Sequence, residues 1–179
     1  MKFLRVAASV FVLVLLAGFA LAFSVYQSYS DLAELNRTAK LRFAEWEAAL
    51  APRRAMLDEL TEMTSAYDQQ AFEFQESAER ILEDAPEGND VAARIAMHML
   101  HNSTFNQLRG LAVRYPQLRS SSAFVEWETG YLKSEIAEVA ARTGYNSAVR
   151  DYNAVLDSFT GKLIALLFTV PPKPVIPGA

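Results

Sequence analysis

The chain has 179 residues, a formal net charge of −4, two histidines and no cysteine. This length leaves room for one membrane segment and one domain that is large enough to bury a core without disulfides. The mild acidic charge argues against a nucleic-acid-binding protein, which needs a basic face. The absence of cysteine excludes disulfide and thiolate chemistry.

The first segment of the chain predicts a membrane anchor. Lys2 and Arg5 precede a nearly uninterrupted apolar run over residues 6–25. At about 1.5 Å per residue, about 20 apolar residues span a hydrocarbon core of about 30 Å. The Ala-Leu-Ala at 20–22 resembles the cleavage site of a signal peptide, which is the alternative interpretation. Because the run is longer than the usual apolar core of a signal peptide, an uncleaved anchor is favoured.

Basic residues beside the anchor predict its orientation. Lys2, Arg5 and the terminal amine favour a short cytoplasmic end, residues 1–5. Arg37, Lys40 and Arg42 oppose this orientation weakly from the other side. We therefore expect a single-pass membrane protein whose body lies outside the cytoplasm.

The body, residues 26–157, follows helical periodicity throughout. Apolar residues recur at steps of three and four, and this spacing is typical of amphipathic helices with coiled-coil-like packing. Pro52 and Pro116 mark boundaries, and residues 84–90 form the strongest breaker, in which Asn89 or Asp90 can cap the next helix. The pattern predicts an all-α fold in which the N-terminal transmembrane helix is followed by an antiparallel four-helix up-down bundle.

Two of these predicted helices are defined by their apolar stripes. The second helix is predicted as one run from Met56 to Ile81. The stripe of the fourth helix begins with Phe124, Trp127, Tyr131, Ile136, Val139 and Ala140 and continues through Val149, Tyr152 and Leu156. We expect both stripes to face the core of the bundle.

The C-terminal segment, residues 158–179, combines a short apolar helix with a proline-rich tail. In an up-down bundle the fourth helix returns toward the bilayer, and the apolar segment is too short to span it. Two interpretations remain open: the segment closes the end of the bundle, or it dips into the membrane surface. The residues concerned are Leu163, Ile164, Leu166, Leu167 and Phe168.

One cluster of polar side chains is a candidate network or docking patch. It comprises Arg53, Arg54, Tyr145, Asn146, Arg150, Tyr152 and Asn153. An unsatisfied buried amide costs about 1–3 kcal/mol, so Asn153 needs partners, and the forked guanidinium groups of Arg53 and Arg54 could supply them. The cluster serves either as a structural network that fixes helix register or as a docking patch for a partner or small ligand.

No catalytic, cofactor or metal site is predicted. His98 and His101 could share one helix face, but there is no third histidine and no cysteine to complete a zinc site. The acidic residues of the second helix lack the Glu-x-x-His pairs of a di-iron bundle. Phosphate-binding loops and nucleophile elbows are also missing from the sequence. We therefore expect that the protein is not an enzyme.

Several motifs together resemble the LemA family. The run from Tyr145 to Asn153 and the run from Ser158 to Ala165 are similar to the closing signature of that family, and Lys173-Pro174 is similar to its ending. Upstream, Trp46 with Arg53-Arg54 and Leu60, and the turn Tyr115 to Leu118 followed by Phe124, look like other family motifs. The chain departs from the pattern after Arg54, where Ile-Pro-Asn-Leu is missing, and at Thr160, which replaces a proline.

The resemblance implies a small envelope protein of the bacterial inner (cytoplasmic) membrane, with an N-terminal membrane helix and an antiparallel helical bundle, and it brings no enzymatic activity. We therefore predict a membrane-anchored interaction or scaffold module. It contacts lipid through the N-terminal helix and binds a protein partner or a second copy of itself, but not nucleic acid. The alternative is an extracytoplasmic ligand-sensing bundle that works through a membrane signalling partner.

Overall fold

A computed structural model of the chain describes residues 2–85 and 90–178, with side chains from residue 11 onward in those ranges. Every regular element in this part of the chain is a helix, which confirms the predicted all-α class. The helices are α1 (Lys2–Leu50), α2 (Pro52–Ser65), α3 (Gln70–Glu83), α4 (Val91–Ala112), α5 (Pro116–Arg119), α6 (Ser122–Asp157) and α7 (Phe159–Phe168).

Helix α1 joins the predicted anchor and the first helix of the body in one unbroken element of 49 residues. Its large apolar side chains between Phe11 and Phe23 are 45% to 74% exposed. Among the described residues, this is the one helical stretch long and apolar enough to cross a membrane. Helix α1 ends at Leu50, and α2 begins with Pro52, as the sequence predicts. Proline is suited to the first helical position because the amide hydrogen there has no partner within the helix.

The prediction of one continuous second helix is wrong, because residues 66–69 separate α2 from α3. The carbonyl of Thr64 accepts hydrogen bonds from the amides of Tyr67 and Asp68, both at 2.9 Å, and closes the turn. The Asp68 carboxylate accepts from the Gln70 amide at 3.0 Å at the start of α3, and from the Tyr115 hydroxyl at 2.7 Å. A contact with a residue distant in sequence therefore stabilises the break.

Helix α4 begins after Asp90, whose carboxylate accepts hydrogen bonds from the amides of Ala92 and Ala93 at 3.0 and 3.1 Å. This confirms Asp90 as the cap; the other candidate, Asn89, and the rest of residues 86–89 lie outside the described residues. Helix α4 ends at Ala112, before Pro116, and Pro116 opens the short α5. Helix α6 is continuous over 36 residues.

The chain forms two compact units. The first unit comprises residues up to 42 together with residues 145–175, and its core contains Leu32, Tyr152, Leu156 and Ile164. The second unit comprises residues 43–144 and the last residues from 176, and its core includes Leu60, Phe105, Leu108, Phe124 and Trp127. The antiparallel four-helix up-down arrangement stays a prediction.

Candidate functional site

A buried carboxylate lies near the end of α1 in the second unit. Glu138 is only 8% exposed, and its Oε1 accepts a hydrogen bond of 2.9 Å from the indole nitrogen of the buried Trp46. The guanidinium Nε of Arg142 lies 3.7 Å from the same oxygen, and Arg142 also donates to the carbonyl of Pro177 at 3.1 Å. A buried charge is tolerated when it is paired in this way.

A second carboxylate, Glu47, directly follows Trp46 in α1. It pairs with Arg94, and it accepts a hydrogen bond of 3.3 Å from Nε2 of His98. The His98 ring meets Trp46 edge-on, with 5.2 Å between ring centroids. Burial lowers the pKa of His98 below its usual value, although Glu47 opposes this shift. His98 is therefore a neutral donor to Glu47 near pH 7.

Arg53 lies beside Glu47 and His98, and its positive charge is buried. Arg53 is 3% exposed; it donates to the side-chain oxygen of Asn102, and its guanidinium carbon lies 5.8 Å from the ring centroid of Tyr131. Its Nε has no hydrogen-bond partner among the described residues. His101 is 7% exposed, and its Nε2 likewise lacks a partner in this part of the chain.

The environment of His101 favours its neutral form. Burial is the main reason that the pKa of His101 lies below its usual value. The charges of Arg53 and Arg54, and that of His98 when its ring is protonated, act in the same direction. Arg54, unlike Arg53, is exposed. The cluster therefore holds two permanent cations and two neutral imidazoles.

These side chains surround a cavity of about 320 Å³, which we call the Arg53 cavity. Its polar lining includes both arginines, both histidines and the amide of Asn102, and its apolar lining includes Leu50 and Leu82. The complete set is Glu47, Leu50, Ala51, Arg53, Arg54, Leu82, His98, His101 and Asn102. The volume is at the lower end of the range for small-molecule pockets.

A larger open groove of about 770 Å³ runs between α2 and α6 in the same unit. Met56, Met63 and Trp127 supply apolar lining, and the Trp127 indole nitrogen donates to the carbonyl of Met56 at 2.9 Å. Three exposed carboxylates and one exposed lysine also line it, namely Glu59, Glu62, Glu126 and Lys133. We call this feature the acidic groove.

The C-terminal polar residues of the predicted cluster lie in the first unit, where several bind the tail. The Asn153 amide donates to the carbonyl of Lys173 and accepts from its amide, both at 2.9 Å. The hydroxyls of Tyr145 and Tyr152 donate to the carbonyls of Pro174 and Pro171, at 2.8 and 3.4 Å. Burial raises the pKa of Tyr145 to about 12, so this hydroxyl remains protonated.

The remaining members of that cluster differ in exposure. Asn146 is half-buried, and Arg150 is exposed. The predicted pairing of Asn153 with Arg53 or Arg54 stays a prediction; the contacts found are Asn153 with Lys173 and Arg53 with Asn102. Sequence reasoning missed Lys173 as the partner of Asn153, although Lys173-Pro174 is part of the resemblance to a known family. Glu47, Arg94, Glu138 and Arg142 carried no recognisable signal.

The apolar C-terminal segment forms α7 and divides into a buried and an exposed side. Ile164 is fully buried in the core of the first unit, and Leu163 is half-buried. Leu166, Leu167 and Phe168 are 60% to 80% exposed. Within this unit α7 lies against α1, where the rings of Phe168 and Tyr29 are 5.6 Å apart. Contact of the exposed side with lipid stays a prediction.

A comparison with protein-family models identifies the family. The model of the LemA family matches residues 42–176, which is well over half of the chain. The chain belongs to the LemA family. The LemA match includes both linings described above and the tail-binding residues of α6, whereas the apolar half of α1 precedes it. A search of curated proteins gave no match.

Among the described residues, His, Asp and Glu side chains form no group of three that could hold a metal ion. In this LemA protein His98 bonds to Glu47, while His101 lies at the Arg53 cavity. The expectation that the chain binds no metal or cofactor stays a prediction.

Proposed function

We propose that this LemA protein is a non-enzymatic, membrane-anchored interaction module of the cell envelope. The exposed apolar half of α1 is the observation that carries the proposal. Large apolar side chains from Phe11 to Phe23 are exposed along several turns, and burying such a surface in lipid is strongly favourable. The same helix continues without a break to Leu50, in the body.

The proposal includes a membrane and an orientation. Lys2 and Arg5 favour a cytoplasmic N-terminus in the bacterial inner membrane, which places the helical body outside the cytoplasm. We further propose that the body acts as an antiparallel four-helix up-down bundle, with α2 and α3 together in the position of its second helix. The exposed side of α7 then meets the membrane surface as a second, weaker contact.

The acidic groove is our proposed protein-binding surface. Its methionines can adapt to different apolar side chains, and Glu59, Glu62 and Glu126 form no ion pair with any described residue. These charges are complementary to lysine and arginine. We therefore propose that the partner is an amphipathic helix of another protein, with basic residues beside its apolar face.

Charge insertion tests the anchor. In a Leu13→Arg/Leu16→Arg variant we expect the protein to leave the membrane fraction after an alkaline wash, because each arginine at the centre of a bilayer costs about 2.5–3.5 kcal/mol. Leu41→Arg is the matched control, since Leu41 is 60% exposed and lies beyond the apolar run. Retention of the double variant in the washed membrane would overturn the anchored role.

A second candidate function is ligand sensing, and the Arg53 cavity is the observation that favours it. The cavity is large enough for a small molecule and is lined by charged and apolar groups. In this alternative the body would act through a membrane signalling partner.

A further inference from the structure

We infer that the Arg53 cavity binds a small organic anion, with its carboxylate or phosphate group at Arg53 and Arg54 and a short apolar chain against Leu50 and Leu82. The inference deepens the ligand-sensing candidate and rests on it. Three features of the second unit support it: a buried charge with no ion pair to a described residue, buried nitrogen atoms with no described partner, and the composition of the cavity wall.

The buried charge is the first feature. Arg53 is 3% exposed, and no described carboxylate lies within ion-pair distance of its guanidinium group. Its contacts are the neutral amide of Asn102 and the ring of Tyr131, which do not cancel its charge. Burying an ion without a counter-ion is costly, so a bound anion would stabilise this arrangement.

The one carboxylate in the lining of the Arg53 cavity is already paired. Glu47 also lines the cavity, but it binds Arg94 and accepts a hydrogen bond from His98. Arg54, by contrast, forms no ion pair with the described residues and is exposed. The lining therefore carries an excess of positive charge.

The unpaired nitrogen atoms of the lining match an oxyanion when His101 carries its hydrogen on Nε2. Arg53 Nε and His101 Nε2 are buried polar atoms without a partner in the described part of the chain, and both residues line the cavity. Guanidinium groups present paired donors that fit carboxylate and phosphate geometry. Small rotations of these side chains would bring the unpaired atoms toward an anion.

The remaining wall of the cavity selects an organic anion over an inorganic one. Leu50, Ala51 and Leu82 are apolar and do not favour a fully hydrated ion. A volume of about 320 Å³ has room for a chain of a few carbon atoms beside the anionic group. We therefore choose butyrate and monobutyl phosphate as probes.

Histidine NMR of the full chain in uncharged maltoside micelles tests the inference. The chain has two histidines, so labelling one ring carbon, Cε1, with carbon-13 gives two signals. The signal that remains in His98→Gln belongs to His101. We expect at least one anion to shift the His101 signal saturably, and Arg54→Gln to weaken binding about tenfold. That factor corresponds to loss of one charge-assisted hydrogen bond. Arg80→Gln is the matched control, because Arg80 is an exposed arginine of α3 outside the lining.

Three results would overturn the inference. One is that neither anion shifts the His101 signal beyond the effect of sodium chloride at equal ionic strength. Another is that butanol shifts it as strongly, which would show an apolar cavity only. The third is equal affinity in Arg54→Gln and Arg80→Gln. We also expect Arg53→Met to abolish anion binding. If Arg53→Met does not fold, the comparison of Arg54→Gln with Arg80→Gln decides whether the cavity binds the anion.

These results are independent of the anchored role. Loss of anion binding would remove the ligand-sensing candidate, whereas retention of the Leu13→Arg/Leu16→Arg variant in membranes would remove the anchor.

Discussion

Gly161 is required by the tight turn between α6 and α7. A Cβ atom at this position would lie 2.0 Å from the carbonyl oxygen of Val155 and 2.7 Å from that of Leu156. Both are backbone atoms, so they cannot move aside as the end of a side chain could. The Ser158 hydroxyl also accepts a hydrogen bond of 3.0 Å from the Gly161 amide and fixes the first turn of α7.

We therefore expect Gly161→Ala to lower the free energy of unfolding by about 1–3 kcal/mol, the usual cost of overpacking. Urea denaturation of the full chain in micelles would measure the change. Gly110→Ala is the control, because nothing lies within 4 Å of a Cβ atom there, and alanine improves helix propensity by about 1 kcal/mol. Equal effects of the two substitutions would contradict the role given to Gly161.

The two histidines predict a loss of stability in mild acid. The folded-state pKa values of His98 and His101 are both lowered, so the unfolded chain binds protons at a higher pH than the folded chain. Stability is therefore complete above the ordinary histidine pKa of about 6.5 and decreases as the pH falls toward the folded values. Melting temperatures between about pH 8 and pH 5 would show this decrease.

We expect His101→Gln to reduce that pH dependence, because glutamine does not titrate. If the wild type and the variant show the same slope, His101 does not titrate on unfolding as inferred.

Glu138 shows that a tertiary contact can decide which side of a helix is buried. The stripe predicted for this helix includes Ile136, Val139 and Ala140, but all three are exposed, Ile136 at 72% and Val139 at 42%. Glu138 is buried instead. That part of the prediction is wrong. Glu138 follows Tyr131 by seven residues, about two helical turns, so it lies on the same side of the helix as Trp127 and Tyr131. The Trp46 indole donates a hydrogen bond to its carboxylate. A prediction from hydrophobicity alone places a glutamate at this position on the exposed side of the helix.

At the scale of helices, α2 and α6 form the acidic groove, and its charge predicts what it binds. A synthetic helix of leucine and lysine should bind there, whereas its leucine and glutamate counterpart should not. Trp127 lines the groove, so fluorine NMR of the chain labelled with 5-fluorotryptophan would report binding. Trp127→Phe would identify the signal.

We expect Glu59→Lys/Glu126→Lys to weaken binding of the basic peptide at least tenfold, because both carboxylates line the groove. Glu73→Lys/Glu76→Lys is the control with the same change in net charge, on exposed positions of α3. A Trp127 signal that responds equally in both variants would show that the groove is not the binding surface.

Helix α7 has a buried side and an exposed side, so the two interpretations that the sequence left open do not exclude each other. Ile164 closes the core of the first unit, while Leu166, Leu167 and Phe168 lie on an exposed side. Burial of one side does not prevent the other from touching lipid. Thr169 ends the helix in the left-handed region, with φ of 52°, a conformation that is uncommon for a β-branched residue.

At the scale of the whole molecule, α1 and α6 each extend into both compact units. The continuity of α1 follows from its sequence, because between Lys2 and Leu50 there is no proline, and Gly18 lies within an apolar stretch that remains helical. The proline-rich tail forms no helix after Thr169. It is nevertheless bound at several points, including Lys173 in the first unit and Pro177 in the second.

The sequence by itself determined the helical class, the apolar half of α1, the boundary at Pro52 and a cap at Asn89 or Asp90. Each of these depends on the periodicity or backbone chemistry of a few consecutive residues. Tertiary structure alone decided the break before α3, the burial of Glu138 and the binding of the tail by Asn153. Their partners are distant in sequence, by 47 residues for Asp68 and Tyr115 and by 92 for Trp46 and Glu138. Local patterns carry no information about such pairs, and the uncompensated charge of Arg53 emerges only when all of its neighbours are in place.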